Sequence, residues 1–195
     1  MQNIYLISDT HFGQRFAVKF FRRPFKNIKE MHKALIKNWN DNIDENDIVL
    51  ILGDFYGGNK IFSHFLLRKL NGEKILVKGN HDFKFRLKRL IETKKIKIYN
   101  KIEFFLDDYH FVLTHKPIKN IHEHTINIHG HHHRVLLPSK FEQNKYFNVA
   151  VDHNDYKPIS IKKIVEDKLG ASNINLVDII EQIKCPNANV QYAFA

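Results

Sequence analysis

Five short apolar runs in this chain each stop at a cluster of Asp, Asn or His. The clusters are Asp9-Thr10-His11, Gly53-Asp54, Gly79-Asn80-His81-Asp82, Thr114-His115 and Gly130-His131-His132-His133. Few folds accommodate that pattern. Through residue 92 the apolar runs alternate with segments of helical spacing, the signature of α/β layering. Strands are expected at 3–8, 47–52 and 73–78, with helices at 28–39, 60–70 and 83–92. Beyond them the pattern turns strand-rich, with strands expected at 96–99, 101–106, 109–114, 125–129 and 146–151. This switch predicts a second sheet and a sheet sandwich with helices outside. A helix at 174–183 and a polar tail complete the chain, giving an expected domain over 1–168 and a C-terminal helical extension over 169–195.

Ligands of α/β sheets bind beyond the carboxyl ends of strands, so the five clusters are expected to converge on one edge. In an extended segment residues i and i+2 point the same way, which lets Asp9 grip an ion together with His11, and lets His131 and His133 face one site. Glycines 53, 79 and 130 are read as points where the backbone turns sharply on leaving a buried strand. Carboxylate, imidazole and amide oxygen suit borderline divalent metals such as Mn, Fe, Ni or Zn. Each cluster alone reads as a surface turn; the ordered set does not, because independent turns have no reason to accumulate His and Asp at strand ends.

Composition narrows the alternatives. A chain of 195 residues with 43% hydrophobic content suffices for one buried core. Its apolar runs are far shorter than the roughly 20 residues that span a bilayer, and its start lacks a basic leader, so a cytoplasmic protein without a membrane anchor is expected. The lone Cys185 has no internal disulfide partner and is assigned no role. A net charge of +10 favours phosphates, nucleic acid or an acidic membrane face, and reads equally as a solvated surface. Thirteen histidines, six of them between His122 and His133, are harder to explain as surface.

The ordered motifs resemble the calcineurin-like metallophosphoesterase superfamily, whose pattern is D-x-H, G-D-x-x-D, G-N-H-[DE], a lone His and G-H-x-H. The match runs from about Ile4 to His133. Ile7-Ser-Asp-Thr-His-Phe-Gly13, Asn38-Trp-Asn40, Asn148-Val-Ala-Val-Asp152 and Tyr156-Lys-Pro158 are similar to small single-domain bacterial and phage phosphoesterases. The resemblance implies a four-layer αββα sandwich of two mixed β-sheets flanked by helices. It implies two divalent metal ions, Mn foremost, with Asp9, His11 and His133 on one, Asn80, His115 and His131 on the other, and Asp54 bridging both. It makes His81 the catalytic group beside the substrate, held by an acidic partner left open between the neighbourhood of Asp54 and Asp82. One departure stands out: Gly57 occupies the final Asp position of G-D-x-x-D.

Two cations about 3.5 to 4 Å apart can clamp an in-line displacement at phosphorus and make a bridging hydroxide available at neutral pH. The expected function is therefore dinuclear metal-dependent phosphoester hydrolysis, with a phosphodiester or nucleotide favoured over a monoester. The alternative is a catalytically silent metal-binding or nucleic-acid-binding module on the same fold. Expected partners are a phosphorylated small molecule, a nucleotide or nucleic acid, with no obligate protein partner. Arg15 is the first choice for contacting substrate; Arg22, Arg23 and Arg86 also follow the motifs, and Phe12, Phe16, Phe55 and Tyr56 are weighed as stacking surfaces against an ordinary core role. His132 is expected to point away from the metals, and His122 and His124 to sit on a loop or rim.

Overall fold

Alternation along the first three strands decides which core each residue enters. In β1 (Ile4–Ile7), β2 (Ile48–Ile51) and β3 (Glu73–Val77) of the computed structural model, Ile4, Leu6, Ile48, Leu50, Ile75 and Val77 face one core, while Ile7, Val49, Ile51 and Leu76 face another. Such strands, apolar on both faces, are those of a sheet covered on both sides. The structure describes residues 2–171 and 174–184, so Cys185 and the polar tail lie outside the described residues.

The three strands pair in parallel and are joined by β4 (Ile96–Tyr99) on one side and by the antiparallel β9 (Ile159–Ser160) on the other, in the order β4-β3-β2-β1-β9. Its outer face is packed by α1 (Phe16–Phe20), α2 (Ile28–Asn40), α3 (Lys60–Lys69) and α4 (Lys84–Ile91). Helix α2 starts where the Asn27 side chain accepts from the amides of Lys29 and Glu30, and its buried Met31, Leu35 and Trp39 recur at helical spacing. Asn59 caps α3 in the same way, accepting from Phe62 N–H at 2.8 Å.

The second sheet is β5 (Ile102–Leu106), β6 (Tyr109–Leu113), β7 (Thr125–His129) and β8 (Tyr146–Asn148), in that order, with only the β5–β6 pair antiparallel. Ile102, Phe104, Phe111, Leu113, Ile126 and Ile128 face the first sheet across the inter-sheet core. The expected sandwich of two mixed sheets flanked by helices is thus present. The last expected strand, 146–151, stops early. After Val149 N–H bonds His129 O, Val151 N–H bonds Ser8 O, so the chain crosses from one sheet to the other.

Two helices follow: α5 (Ile161–Leu169), capped by Ser160 and closed by a left-handed Gly170, and α6 (Leu176–Lys184). Ile161, Ile164, Leu176 and Ile179 extend the inter-sheet core. On α6 the Gln182 amide accepts from Phe105 N–H and donates to Phe105 O, at 2.8 and 3.0 Å. It thereby occupies backbone groups that edge strand β5 would otherwise present to another chain.

Register places the site. Ile7, Ile51 and Leu76 lie side by side across β1, β2 and β3, so the loops after these strands leave one edge together. In the second sheet Leu113 lies beside Ile128, and His129 beside Asn148, so the loops after β6, β7 and β8 leave together too.

Candidate metal centre

Those loops bring all seven sequence-predicted ligands to one place. Two groups of donor atoms come together: Asp9, His11 and His133 in one, and Asp54, His115 and His131 in the other, each with its donors within 4.8 Å of one another. Asn80 joins the second group, its Oδ1 lying 2.9 Å from His115 Nε2. Asp54 Oδ2 stands between the two, 3.4 Å from His115 Nε2 and 3.9 Å from His11 Nε2.

The backbone reaches this arrangement by turns and not by extended pairing. Asp9, His11, Asp54, His131 and His133 all adopt positive φ, between 34° and 70°. Non-glycine residues do so at a cost of order 1–3 kcal/mol each, and such outliers gather at functional sites. This corrects the reason given by the i, i+2 reading and not its outcome: His131 and His133 do face one site, but from a left-handed backbone, and within the site they belong to different groups. The glycine reading is refined as well. Gly53 has φ of 86°, and a Cβ there would overlap the His115 ring at Nδ1. At Gly79 the need is space, since a Cβ would overlap Asp54 N and lie 3.0 Å from Asp54 Cγ. Gly79→Ala is expected to destabilise the fold by about 1–3 kcal/mol through overpacking, measured by urea unfolding; an unchanged midpoint would show that the two loops can separate freely.

Three imidazoles have their tautomers set by an oxygen behind them. Nδ1 of His11 donates to Gln14 Oε1, that of His115 to Leu52 O and that of His133 to Asp152 Oδ2, at 2.8, 2.9 and 2.8 Å. Each Nε2 is thereby directed at the centre, as a metal-ligating histidine requires. Asp9 is oriented in the same manner: Oδ2 accepts from Ser8 Oγ and His131 N–H, leaving Oδ1 3.5 Å from His133 Nε2. Asp9 Oδ1 and His11 Nε2 are buried without a hydrogen-bond partner. Orphaned atoms of this kind are rare, and two of them among convergent O and N donors fit a bound cation.

Behind Asp152 lies Arg23, whose Nε and Nη2 bond the two carboxylate oxygens at 3.0 and 2.8 Å. The same guanidinium donates to Asp9 O and Thr10 O. Arg23 is buried and engaged, so its reading as a phosphate contact is corrected: it braces the ligand loop. Burial raises the Asp152 pKa, but the His133 hydrogen bond and Arg23 outweigh it and hold it at about 2. Asp152→Asn is expected to weaken metal affinity by about 10–100-fold with little loss of fold, measured by calorimetric titration; unaltered affinity would remove Asp152 from the centre's support.

Electrostatics within the centre are uneven. Burial lowers the pKa of His11 to about 3 and raises that of Asp9. Burial also acts to lower His115 and to raise Asp54, but the contact between them prevails in both, taking His115 up to about 9 and Asp54 down to about 2. Without a cation the pair is therefore held as imidazolium and carboxylate.

His81 lies at the mouth. Its N–H donates to Asp54 Oδ1 at 2.6 Å, and Arg86 donates to its carbonyl. The ring borders a hollow of about 390 Å³ with Asp54, Asn80, His131 and Phe16. Asp82 does not support that ring: its buried carboxylate accepts from the amides of Asp54, Phe55 and Gly79. The Gly57 departure has a local consequence. A Cβ at 57 would come within 2.7–2.8 Å of Nε2 and Cδ of Gln14, so the missing side chain leaves room for the group that orients His11.

With the two donor groups and Asp54 between them in place, comparison with known proteins decides the family. The calcineurin-like phosphoesterase profile matches residues 2–187. The chain belongs to the calcineurin-like phosphoesterase family. An uncharacterized protein of Methanocaldococcus jannaschii is 42% identical over 177 residues, 85% of this chain and 91% of that protein. A structure of a protein of unknown function from Aquifex aeolicus superposes with a TM-score of 0.66 at 25% identity, over 85% of this chain and 99% of that one. A Pseudomonas putida nuclease aligns at 18% identity with a TM-score of 0.42, over 67% of this chain and 60% of that one.

The remaining sequence candidates separate clearly. Phe12, Phe55 and Tyr56 are fully buried core residues, whereas Phe16 is exposed at the mouth. Arg15 is exposed at the N-terminus of α1, next to Phe16 but outside the wall of the hollow. His122 and His124 are exposed ahead of β7, the end opposite the centre. His132 is in neither donor group. Sequence reasoning missed Phe21, which stacks on His133 with centroids 3.5 Å apart and on His11 at 5.1 Å. Gln14, Ser8 and the bracing role of Arg23 were also missed; no local signal marks them. No helix among the described residues is long and apolar enough to cross a membrane.

Proposed function

We propose that this chain is a dinuclear metal-dependent phosphodiester hydrolase, with Mn as the preferred ion. Asp9, His11 and His133 would hold one ion, Asn80, His115 and His131 the second, and Asp54 both. The observation that carries this reading is Asp54 Oδ2, placed between His115 and His11, so that one carboxylate oxygen serves two donor groups. A bound metal pair supplies a nucleophile from water at neutral pH and neutralises charge on the phosphoryl oxygens.

The chain's own groups complete the reaction. His81, on the rim of the hollow beside Asp54 and Asn80, is positioned to give a proton to the leaving oxygen. Arg86 fixes the backbone from which that ring projects. Arg15, beside Phe16 at the mouth, is the proposed contact to the substrate's charge. A diester suits the mouth because a second hollow, of about 540 Å³, adjoins the first and gives room for a group on each side of phosphorus. Hydrolysis of bis-p-nitrophenyl phosphate against p-nitrophenyl phosphate tests the preference. Faster diester turnover is expected, and monoester hydrolysis alone across a broad panel would overturn it.

Metal uptake should depend on pH with a definite sign. His115, with a pKa of about 9, is protonated in the metal-free protein at neutral pH and must release that proton to bind through Nε2. Apparent metal affinity is therefore expected to fall as pH drops below 9, by up to about tenfold per pH unit for one proton. Calorimetry at pH 7 in buffers of different ionisation enthalpy should count about one proton released per chain; a count of zero would contradict the arrangement.

A further inference from the structure

We propose that the mouth of this site is a groove for a single-stranded polynucleotide, with bases stacked on its exposed phenylalanines and backbone phosphates met by arginines flanking the centre. The inference rests on the phosphodiester reading and names its substrate class.

Charge segregation is the first observation. Residues 12–29, 83–91 and 130–141, which frame the centre, contain no Asp or Glu, although the chain has 21. They carry Arg22 and Arg134, which line the hollow beside the centre, and Arg86, which bonds the His81 carbonyl. A wall of one sign attracts a polyanion, and phosphate neutralisation by Arg supplies sequence-independent affinity.

The second observation is the rings. Phe16, Phe20, Phe83 and Phe85 are 44%, 75%, 47% and 55% exposed, although large apolar side chains are ordinarily buried. Phe83 and Phe85 lie parallel within 9°, with the Arg86 guanidinium 4.9 and 5.4 Å from their centroids. Exposed aromatic faces interleaved with guanidinium groups are the equipment of single-strand binding, because every base has a face to stack. A duplex hides those faces.

The third observation is continuity. The hollow over the centre and the larger one beside it share Phe20, Phe21, His131 and His133 in their walls, and the larger is bordered by Arg22 and Arg134. A strand with one phosphate at the centre can place its next unit past Phe20, between those two arginines. An anionic membrane would also answer the charge and the exposed Val135 and Leu136. Phe16, Phe20, Arg22 and Arg134 in the walls of a concave groove favour a strand.

Fluorescence anisotropy of a labelled oligodeoxythymidylate of about 15 nucleotides, titrated with the full chain in EDTA so that nothing is cleaved, tests the groove. Binding is expected to weaken steeply with salt, to exceed that of a duplex of equal length, and to drop about tenfold or more in Phe20→Ala and in Arg22→Ala/Arg134→Ala. Circular dichroism of both variants verifies folding. Binding equal to that of the duplex, binding unchanged in both folded variants, or capture by phosphatidylserine vesicles with none of the strand would overturn the proposal. Small-diester turnover by metal-loaded wild type is measured alongside. Turnover without strand binding overturns the groove alone, whereas strand binding without turnover overturns the reaction and leaves the groove standing.

Discussion

Asp54→Asn is expected to lower metal-dependent diester turnover by about 10³-fold or more, the largest effect of any single substitution at the centre. The change keeps the shape of the side chain while removing its charge and one of its oxygens. Both losses matter. Oδ1 holds the His81 amide, and Oδ2 faces His115 and His11 from two donor groups. The amide would also take from His115 the largest of the influences that counter its burial, leaving Asp9 and the Leu52 carbonyl to favour the imidazolium, so its pKa should fall. Elemental analysis should find the variant holding fewer ions than wild type. Full activity with an undiminished metal content would remove Asp54 from its bridging role.

His81→Ala is the second large effect and separates chemistry from metal binding. Its ring belongs to neither donor group, so metal content should stay at the wild-type level while turnover falls by about 10²- to 10⁴-fold, the range for loss of a positioned acid. Because a good leaving group needs little protonation, the loss should be greater for an alkyl diester than for bis-p-nitrophenyl phosphate. Equal losses on both substrates would assign His81 to holding the substrate instead.

What could be read from the sequence was whatever the chain states locally. Strands ending at Asp9, Asp54, Asn80, His115 and His131 were legible because an apolar run and the polar cluster after it are contiguous. Helix α2 was legible through Met31, Leu35 and Trp39 at helical spacing. Helix α1 is five residues with no side-chain cap, too short to show a period. Helix α5 did carry a signal, Ser160 before Ile161, Ile164 and Val165 with Gly170 after them, and it lies outside the helices marked from the sequence. The supports of the centre were not legible at all. Arg23 and Asp152 meet across 129 positions, and Gln14 reaches His11 only where Gly57 leaves space. Pairings of that kind exist only once both sheets are assembled. The i, i+2 argument brought Asp9 and His11 together for a wrong reason, since their left-handed backbone is set by the loops of neighbouring strands.

The most direct test of the central claim is a titration of metal-stripped protein with Mn, recording bound ions per chain and diester turnover at each step. Two ions per chain are expected, with turnover rising as the second is taken up. Undiminished turnover after complete metal removal, or two bound ions with no turnover of any phosphodiester, would contradict it.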